Sequence, residues 1–434
     1  MSVVCPRGHL LRHVRRVAAI YPCRAMNSLD SMEQAVRRAQ PRMIIPCDDW
    51  SVRLLHELYT LRPALRPLIA GSLGAPESFA TAEHRALLLE AADGLGIRVP
   101  VTRTASSEAD VAAWFAAGET SAVLKVDGSS GGEGVVFAHS EREALEAWRR
   151  LAQPAGWAKT FKRVAINREP LRLRADGDDP PSLTLQQFVP GRPANVMFAC
   201  QEGEILCIAV VEVLASQGAT GAAVLARRIR HPEIERASRL LARRLGLSGF
   251  YGLDFLLDDR GGAHLLEMNP RCTQLGHLHF SAEVDLAAAL YTKLTGRSPA
   301  SVPPAIGDRP VAFFPMATRL CPGHPLLDEA YMDLPRDQPE LVRELNRPAW
   351  PERRWLARLY HHFRPPERVS AAVFAPPGES SLTAAADPAG AAGVSLRHSC
   401  EVSTGCPSDR ELGSWVCEDS ATQETGWTTT RMPD

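Results

Sequence analysis

Two short segments constrain this chain most: Gly252-Leu253-Asp254-Phe255 and, downstream, Leu265-Leu266-Glu267-Met268-Asn269-Pro270-Arg271. Both read as strands. Side chains alternate along a strand, so Glu267 and Asn269 share one face while Leu266 and Met268 share the other. The polar pair is expected to face a cleft and the apolar pair to anchor a sheet. One carboxylate, Asp254, with a carboxylate and an amide on the neighbouring segment suits Mg²⁺ ions that bridge nucleotide phosphates. Magnesium takes hard oxygen ligands and usually couples one or two carboxylates with substrate phosphates. Arg271 follows in reach of the same phosphates.

Composition narrows the class. With 434 residues, 45% hydrophobic and 23% charged, the chain can bury two or three domain cores. A formal net charge of -1 advertises neither a nucleic-acid nor a membrane surface. The ten cysteines contain no CxxC pair, and their spacing suits neither a zinc knuckle nor a dense disulfide frame, so reduced thiols are expected. No apolar run reaches the roughly 18 residues of a membrane span, and the arginine-rich start, Arg7 to Arg16, adjoins no signal-peptide core. A soluble, cytoplasmic protein is the expectation.

From Met1 to about Ala80, short apolar segments alternate with helical ones, which implies a small parallel sheet. Met43-Ile44-Ile45-Pro46 reads as a buried strand and Ser51 to Leu61 as a helix, capped by Asp48 or Asp49. A second amphipathic helix is expected from Ala82 to Gly94, before a boundary at Gly96-Ile97-Arg98-Val99-Pro100. Ala122 to Phe137 reads as strand, glycine loop, strand. Backbone N–H groups approach phosphate oxygens closely only where side chains are absent, which gives Gly131, Gly132 and Gly134 a purpose. The loop is not a Walker A motif, because no Gly-Lys-Ser/Thr follows and no helix starts behind it. Lys125, on the entering strand, can meet phosphates covered by the loop; a solvated lysine at a strand edge is the ordinary alternative.

Further on, Glu141 to Leu151 is helical and Pro154 to Pro181 is a polar connection inside a mobile domain. Leu183 to Val189 reads as a strand that offers backbone groups to a base. A hairpin spans Cys200 to Leu214, and helices are expected at Glu233 to Leu245 and Asp285 to Leu294. Residues 370 to 434 hold no lysine and no isoleucine; nine Asp/Glu against three Arg give this tail -6, and the preceding residues therefore +5. Such a segment cannot bury enough apolar surface to offset its ordering entropy and is expected to be disordered.

In this order, these motifs resemble the ATP-grasp superfamily, specifically its carboxylate-amine ligase branch, similar in outline to biotin carboxylase and carbamoyl-phosphate synthase. The likeness spans roughly Ser72 to Gly296. It implies an α/β (α+β) ATP-grasp fold with a Rossmann-like pre-ATP-grasp domain at residues 1–80. The ATP-grasp domain would then run over 81–300, with a lid at about 120–185. A C-terminal extension at 301–369 would pack on the core, ahead of the acidic tail. Lys125 and the glycine loop resemble the family's second nucleotide lysine and phosphate-covering hairpin. Gln186, Gln187, Phe188 and Val189 look like the hinge that reads adenine. Asp254, Glu267 and Asn269 match the magnesium ligands, Glu267 bridging both ions, and Arg271 matches the arginine that steadies the transferring phosphoryl. The family's first nucleotide lysine looks replaced at His84-Arg85, where Arg85 keeps the charge as a rigid fork. The hinge carries glutamines where a glutamate is common, and residues 272–277 do not match the biotin carboxylase continuation.

The resemblance implies ATP and Mg²⁺ (or Mn²⁺) as cofactors, with small-molecule carboxylate and amine substrates. It admits a homodimer and involves neither nucleic acid nor membrane. The carboxylate would be activated as an acyl phosphate and attacked by an amine or similar nucleophile. Arg227, Arg228 and Arg230 are candidates to grip the carboxylate bidentately, against the alternative of a solvated basic edge. His277 and His279 form an HxH with no third ligand in sight and read as structural. A nucleotide-binding module without turnover, and a kinase acting on a hydroxyl, are the rival functions.

Overall fold

The computed structural model describes residues 1–24, 27–126, 134–152, 183–347 and 369–374. All of these belong to one compact unit, Met1–Gly378. The expectations for residues 127–133 (Gly131 and Gly132 among them), for the 154–181 connection and for the acidic tail beyond residue 374 lie outside the described residues.

The N-terminal segment builds a two-stranded parallel sheet from β1 (Ser2–Cys5) and β2 (Ala19–Pro22). Helices α1 (Ser28–Ala39), α2 (Asp49–Leu61) and α3 (Arg66–Leu73) pack around Met32, Val36, Leu54, Leu55, Leu58 and Ile69. Asp48 settles the capping question: its carboxylate accepts the Ser51 N–H at 2.6 Å, and the Ser51 hydroxyl reciprocates as acceptor for the Asp48 N–H. The expected strand at Met43–Pro46 does not form. Its backbone has no strand beside it: Ile44 N–H is spent on the Ser72 hydroxyl, Pro46 has no N–H to give, and Ile45 is 44% exposed. The expected Ala82–Gly94 helix is two helices, α4 (Phe79–Glu83) and α5 (Arg85–Gly94), because His84 is extended between them and restarts the ladder with its own carbonyl. Arg85 therefore stands in the first turn of a helix.

A second sheet, in the order β3-β6-β4-β5, joins β3 (Thr102–Thr104), β4 (Ala122–Val126), β5 (Val135–Ala138) and β6 (Leu183–Gln186). All its pairings are antiparallel. Helices α6 (Glu108–Ala116) and α7 (Glu141–Leu151), N-capped by Ser107 and Ser140, bury Val111, Trp114, Ala144 and Ala147 against Leu124, Leu183 and Leu185. The strand of the hinge ends at Gln186, three residues short of the expected Val189.

The central sheet holds eight strands among the described residues. Its main run is β7 (Arg192–Gln201), β8 (Glu204–Gln217), β9 (Ala223–Ile229), β10 (Gly249–Leu257) and β11 (Ala263–Asn269), ordered β11-β10-β7-β8-β9. Helix α8 (Pro232–Arg244) and α5 cover one face, packing Ile234, Leu241, Leu88 and Leu89 on Val196, Phe198, Leu253, Phe255 and Leu265. Fully burying a side chain such as Phe198 or Phe255 contributes about 1.5–3 kcal/mol. On the other face Met197, Ala199, Val211 and Phe250 meet Leu275, Leu278, Phe280 and helix α9 (Leu286–Thr295), which follows a short hairpin of β12 (His279–Ser281) and β13 (Val284–Asp285). Beyond β9 the sheet continues into β14 (Val311–Phe313) and β15 (Tyr331–Asp333), while β16 (Ala371–Val373) pairs with β8.

Candidate active site

One irregularity aims the acidic residues. Along β10 and β11, Asp254 lies opposite Glu267 but Phe255 lies opposite Leu265, so Leu266 is an extra residue in a β-bulge. Were Leu266 paired in unbroken alternation, Glu267 would share the face of Leu265, which is fully buried under the helices. With the bulge, Glu267 and Asn269 turn to the face of Asp254. This corrects the expected apolar pair: Leu265 and Met268 anchor the sheet, and Leu266 is only half-buried.

Around Asp254 the side chains form a continuous hydrogen-bonded chain. Asn195, opposite Asp254 on β7, donates to one carboxylate oxygen at 2.5 Å, and Asn269 donates to the other at 3.1 Å. Arg271 Nη2 donates to Asn269 Oδ1 at 3.1 Å, and Arg271 Nε donates to Asp49 at the start of α2 at 2.6 Å. Glu267 accepts from Arg85 Nη2 at 2.7 Å. The loop after β11 is fixed from both sides: Cys272 N–H bonds the Pro46 carbonyl, and Thr273 leans on the Met197 sulfur. Gly252 permits this approach, since a Cβ there would lie 2.9 Å from Thr273 Cγ2.

The charges are strongly coupled. Loss of water and the facing Glu267 carboxylate push Asp254 up to about 7, against the hydrogen bonds from Asn195 and Asn269. Loss of water also opposes ionisation of Glu267, but Arg85 and Lys125 outweigh it and hold that carboxyl low. Lys125, 8% exposed on β4, is drawn down to about 8, chiefly by burial and then by Arg85, with Glu267 and Asp254 pulling the other way. Arg85, Lys125, Asp254 and Glu267 thus share one electrostatic neighbourhood although they come from three separate parts of the fold.

The remaining candidates are placed as follows. Gly134 closes the hairpin with positive φ and a carbonyl that accepts the Val126 N–H. Gln186 is buried and donates to the Thr102 hydroxyl, Gln187 N–H is bonded to the Val101 carbonyl, and the exposed Phe188 meets Phe137 edge-to-face at 5.9 Å. Val189 lies just beyond the strand. The three-arginine grip does not assemble. Strand alternation puts Arg227 and Arg228 on opposite faces of β9; Arg227 is held, with Arg192, by Glu212. Arg228 and Arg230 instead line a groove of about 250 Å³ with Glu235, Arg239 and Glu283. His277 pairs with Asp333 at 2.9 Å and His279 with Asp285 at 2.9 Å, both through ordinary carboxylate contacts. Sequence reasoning missed Asn195 and the role open to Asp49. A lone amide among apolar β7 residues was the available signal for the first, and an acidic pair where a cap needs only one acid was the signal for the second.

Residues 163–274 match the family model of an ATP-grasp domain. No curated protein matches the sequence. Among solved structures, the biotin carboxylase domain of the Hydrogenobacter thermophilus 2-oxoglutarate carboxylase, in complex with MgADP, ADP and bicarbonate, superposes with a TM-score of 0.50 at 13% identity, covering 69% of this chain and 66% of that one. An N5-carboxyaminoimidazole ribonucleotide synthetase bound to ADP gives 0.45 at 16% identity, covering 64% and 65%. The Staphylococcus aureus N5-carboxyaminoimidazole synthetase with ADP gives 0.48 at 14%, covering 71% and 74%. The chain spans just under two thirds of the length of the first two. The family match defines an ATP-grasp domain over residues 163–274, and the 0.50 superposition adds a likeness of fold.

Proposed function

We propose that this protein is an ATP- and Mg²⁺-dependent ligase that activates a carboxylate as an acyl phosphate for attack by an amine. The observation that carries this reading is the Asp254–Glu267 cross-strand carboxylate pair, ringed by Arg85, Lys125 and Arg271. Two carboxylates forced to face each other, one driven up to about 7, are a poor arrangement unless a cation joins them. Among the described residues no group of three or more His, Cys, Asp or Glu is placed to hold a metal ion. A pair of carboxylates with the Asn269 amide fits Mg²⁺, whose shell substrate phosphates complete.

Asp254, Glu267 and Asn269 would hold the metal, which supplies charge neutralisation across the β- and γ-phosphates when bound. Lys125 and Arg85 would balance phosphate charge from the lid and from α5. Arg271 would meet the γ-phosphoryl as it passes to the carboxylate oxygen and the bond to ADP breaks. The amine nitrogen then attacks the acyl carbon, the carbon–oxygen bond to phosphate breaks, and the departing phosphate or solvent takes the amine proton. Phe188 and Phe137 offer exposed ring surface beside the hinge for a base.

The test is to measure ADP and free phosphate release over a panel of carboxylates and amines with MgATP. Stoichiometric ADP, phosphate and amide support the ligase. ADP with phosphate retained on product marks a kinase, and tight MgADP binding without release over the whole panel marks a binding module. Glu267→Gln is expected to abolish Mg-dependent turnover with an unchanged circular dichroism spectrum; a folded mutant with full turnover overturns the metal assignment.

A further inference from the structure

We propose that Asp49 is a positioning residue for Arg271, so that the N-terminal segment completes the phosphoryl-binding face. The inference rests on the reading of the site given above. Of the two neighbouring acids, Asp48 is consumed by the helix cap, whereas Asp49 points at Arg271 Nε from 2.6 Å. An acid in the first turn of a helix interacts favourably with the helix dipole wherever its side chain points. That explanation requires no partner 222 residues away in sequence.

The geometry of the guanidinium favours a specific purpose. Its five N–H donors are planar and fixed relative to one another. Asp49 takes the Nε donor and Asn269 Oδ1 takes one on Nη2, which pins the plane at two points and leaves three donors for a phosphoryl group. Neither partner is freely solvated: the Arg271 side chain is 20% and that of Asp49 28% accessible, so the pair is less screened than a surface ion pair. The Cys272 N–H to Pro46 carbonyl bond beside it holds the two backbones together, so Asp49 acts from a fixed platform. Through Asn269 the same contact reaches Asp254, and thereby ties the arginine's orientation to that of the carboxylate pair.

The test reads how strongly the protein senses a γ-phosphate, which needs no knowledge of the other substrates. Titration calorimetry gives dissociation constants for MgADP and for the non-hydrolysable MgAMPPNP, and their ratio measures γ-phosphate recognition. Asp49→Asn is expected to lower that ratio about tenfold, as does Arg271→Gln, with MgADP affinity kept within about twofold. Asp49→Glu should restore most of the ratio, and Asp48→Ala, which removes only the cap, should leave it unchanged while lowering the melting temperature. A ratio in Asp49→Asn equal to the wild type overturns the inference and leaves the proposed function standing. Equal losses in Asp48→Ala and Asp49→Asn also overturn it, since the effect is then that of the helix end. If the wild type binds neither nucleotide, the proposed function itself fails.

Discussion

Lys125 and Arg85 carry the same charge but are committed differently. The Arg85 guanidinium is hydrogen-bonded to Glu267, whereas the Lys125 ammonium is held in the same field, largely stripped of water. We predict that Lys125→Ala weakens MgADP binding at least tenfold, and more than Arg85→Ala does. Arg85→Ala should mainly cost stability, about 1–3 kcal/mol by urea denaturation, because it strips a partner from Glu267. An Arg85 variant with the larger affinity loss contradicts this division. His277 gives a pH-dependent prediction. Partial loss of water opposes its protonation although the ring stays largely exposed, but the Asp333 carboxylate outweighs that and raises its pKa above the usual 6.5. A raised folded-state value adds stability that is fully present below about 6.5 and fades as pH rises through the folded pKa. Melting curves from pH 5 to 8 should show the wild type losing ground to Asp333→Asn only on the alkaline side; parallel curves would show that the pair contributes nothing. At this scale, Asp254, Glu267 and Lys125 were legible because ionisable groups interrupt apolar strands. Asn195 and Asp49 were not, since an amide in a strand and an acid at a helix start each have an ordinary explanation.

Among elements, capped helices were the easiest to read. The residues expected to form the helix Glu141–Leu151 are those that do, because Ser140 caps one end and the arginines Arg149 and Arg150 suit the other. Periodicity failed where tertiary contacts set the backbone. His84 breaks a sequence that looks continuously helical, and Met43–Pro46 is apolar without a strand to pair with. The bulge was invisible for a related reason, since strict alternation predicts that Leu266, not Leu265, faces the core. Deleting Leu266 should leave Phe255 opposite Leu265 and Asp254 opposite Glu267 in regular pairing, so the carboxylate pair keeps its face. We expect that variant to keep MgADP binding, whereas inserting one residue between Glu267 and Met268, which reverses the faces of Met268 and Asn269, should abolish it and lower the melting temperature. Loss of binding by the deletion variant would show that the local twist of the bulge, and not register alone, sets the pair.

For the molecule as a whole, the sequence boundary at Val369 falls slightly early. Ala371–Val373 pair with β8 as β16, and Phe374 N–H bonds the Leu214 carbonyl, so these residues belong with the sheet. A chain ending at Phe374 is predicted to keep its melting temperature and nucleotide affinity, since the acidic segment that follows lacks the composition for a core of its own. One ending at Val369 forfeits β16 and should melt slightly lower. Ending before Val311 should be destructive, because Val311 and Ala312 are completely buried in β14. A loss of several degrees on removing 375–434 would show that the tail docks. The contact between Asp49 and Arg271 also has a consequence in time. The two residues are 222 apart, and at about 5–20 residues per second a ribosome separates their emergence by roughly 10–40 s. Through that interval Asp49 and the Pro46 carbonyl wait without the loop that they hold, so this part of the N-terminal segment stays open to proteases and chaperones until residues 271 and 272 emerge.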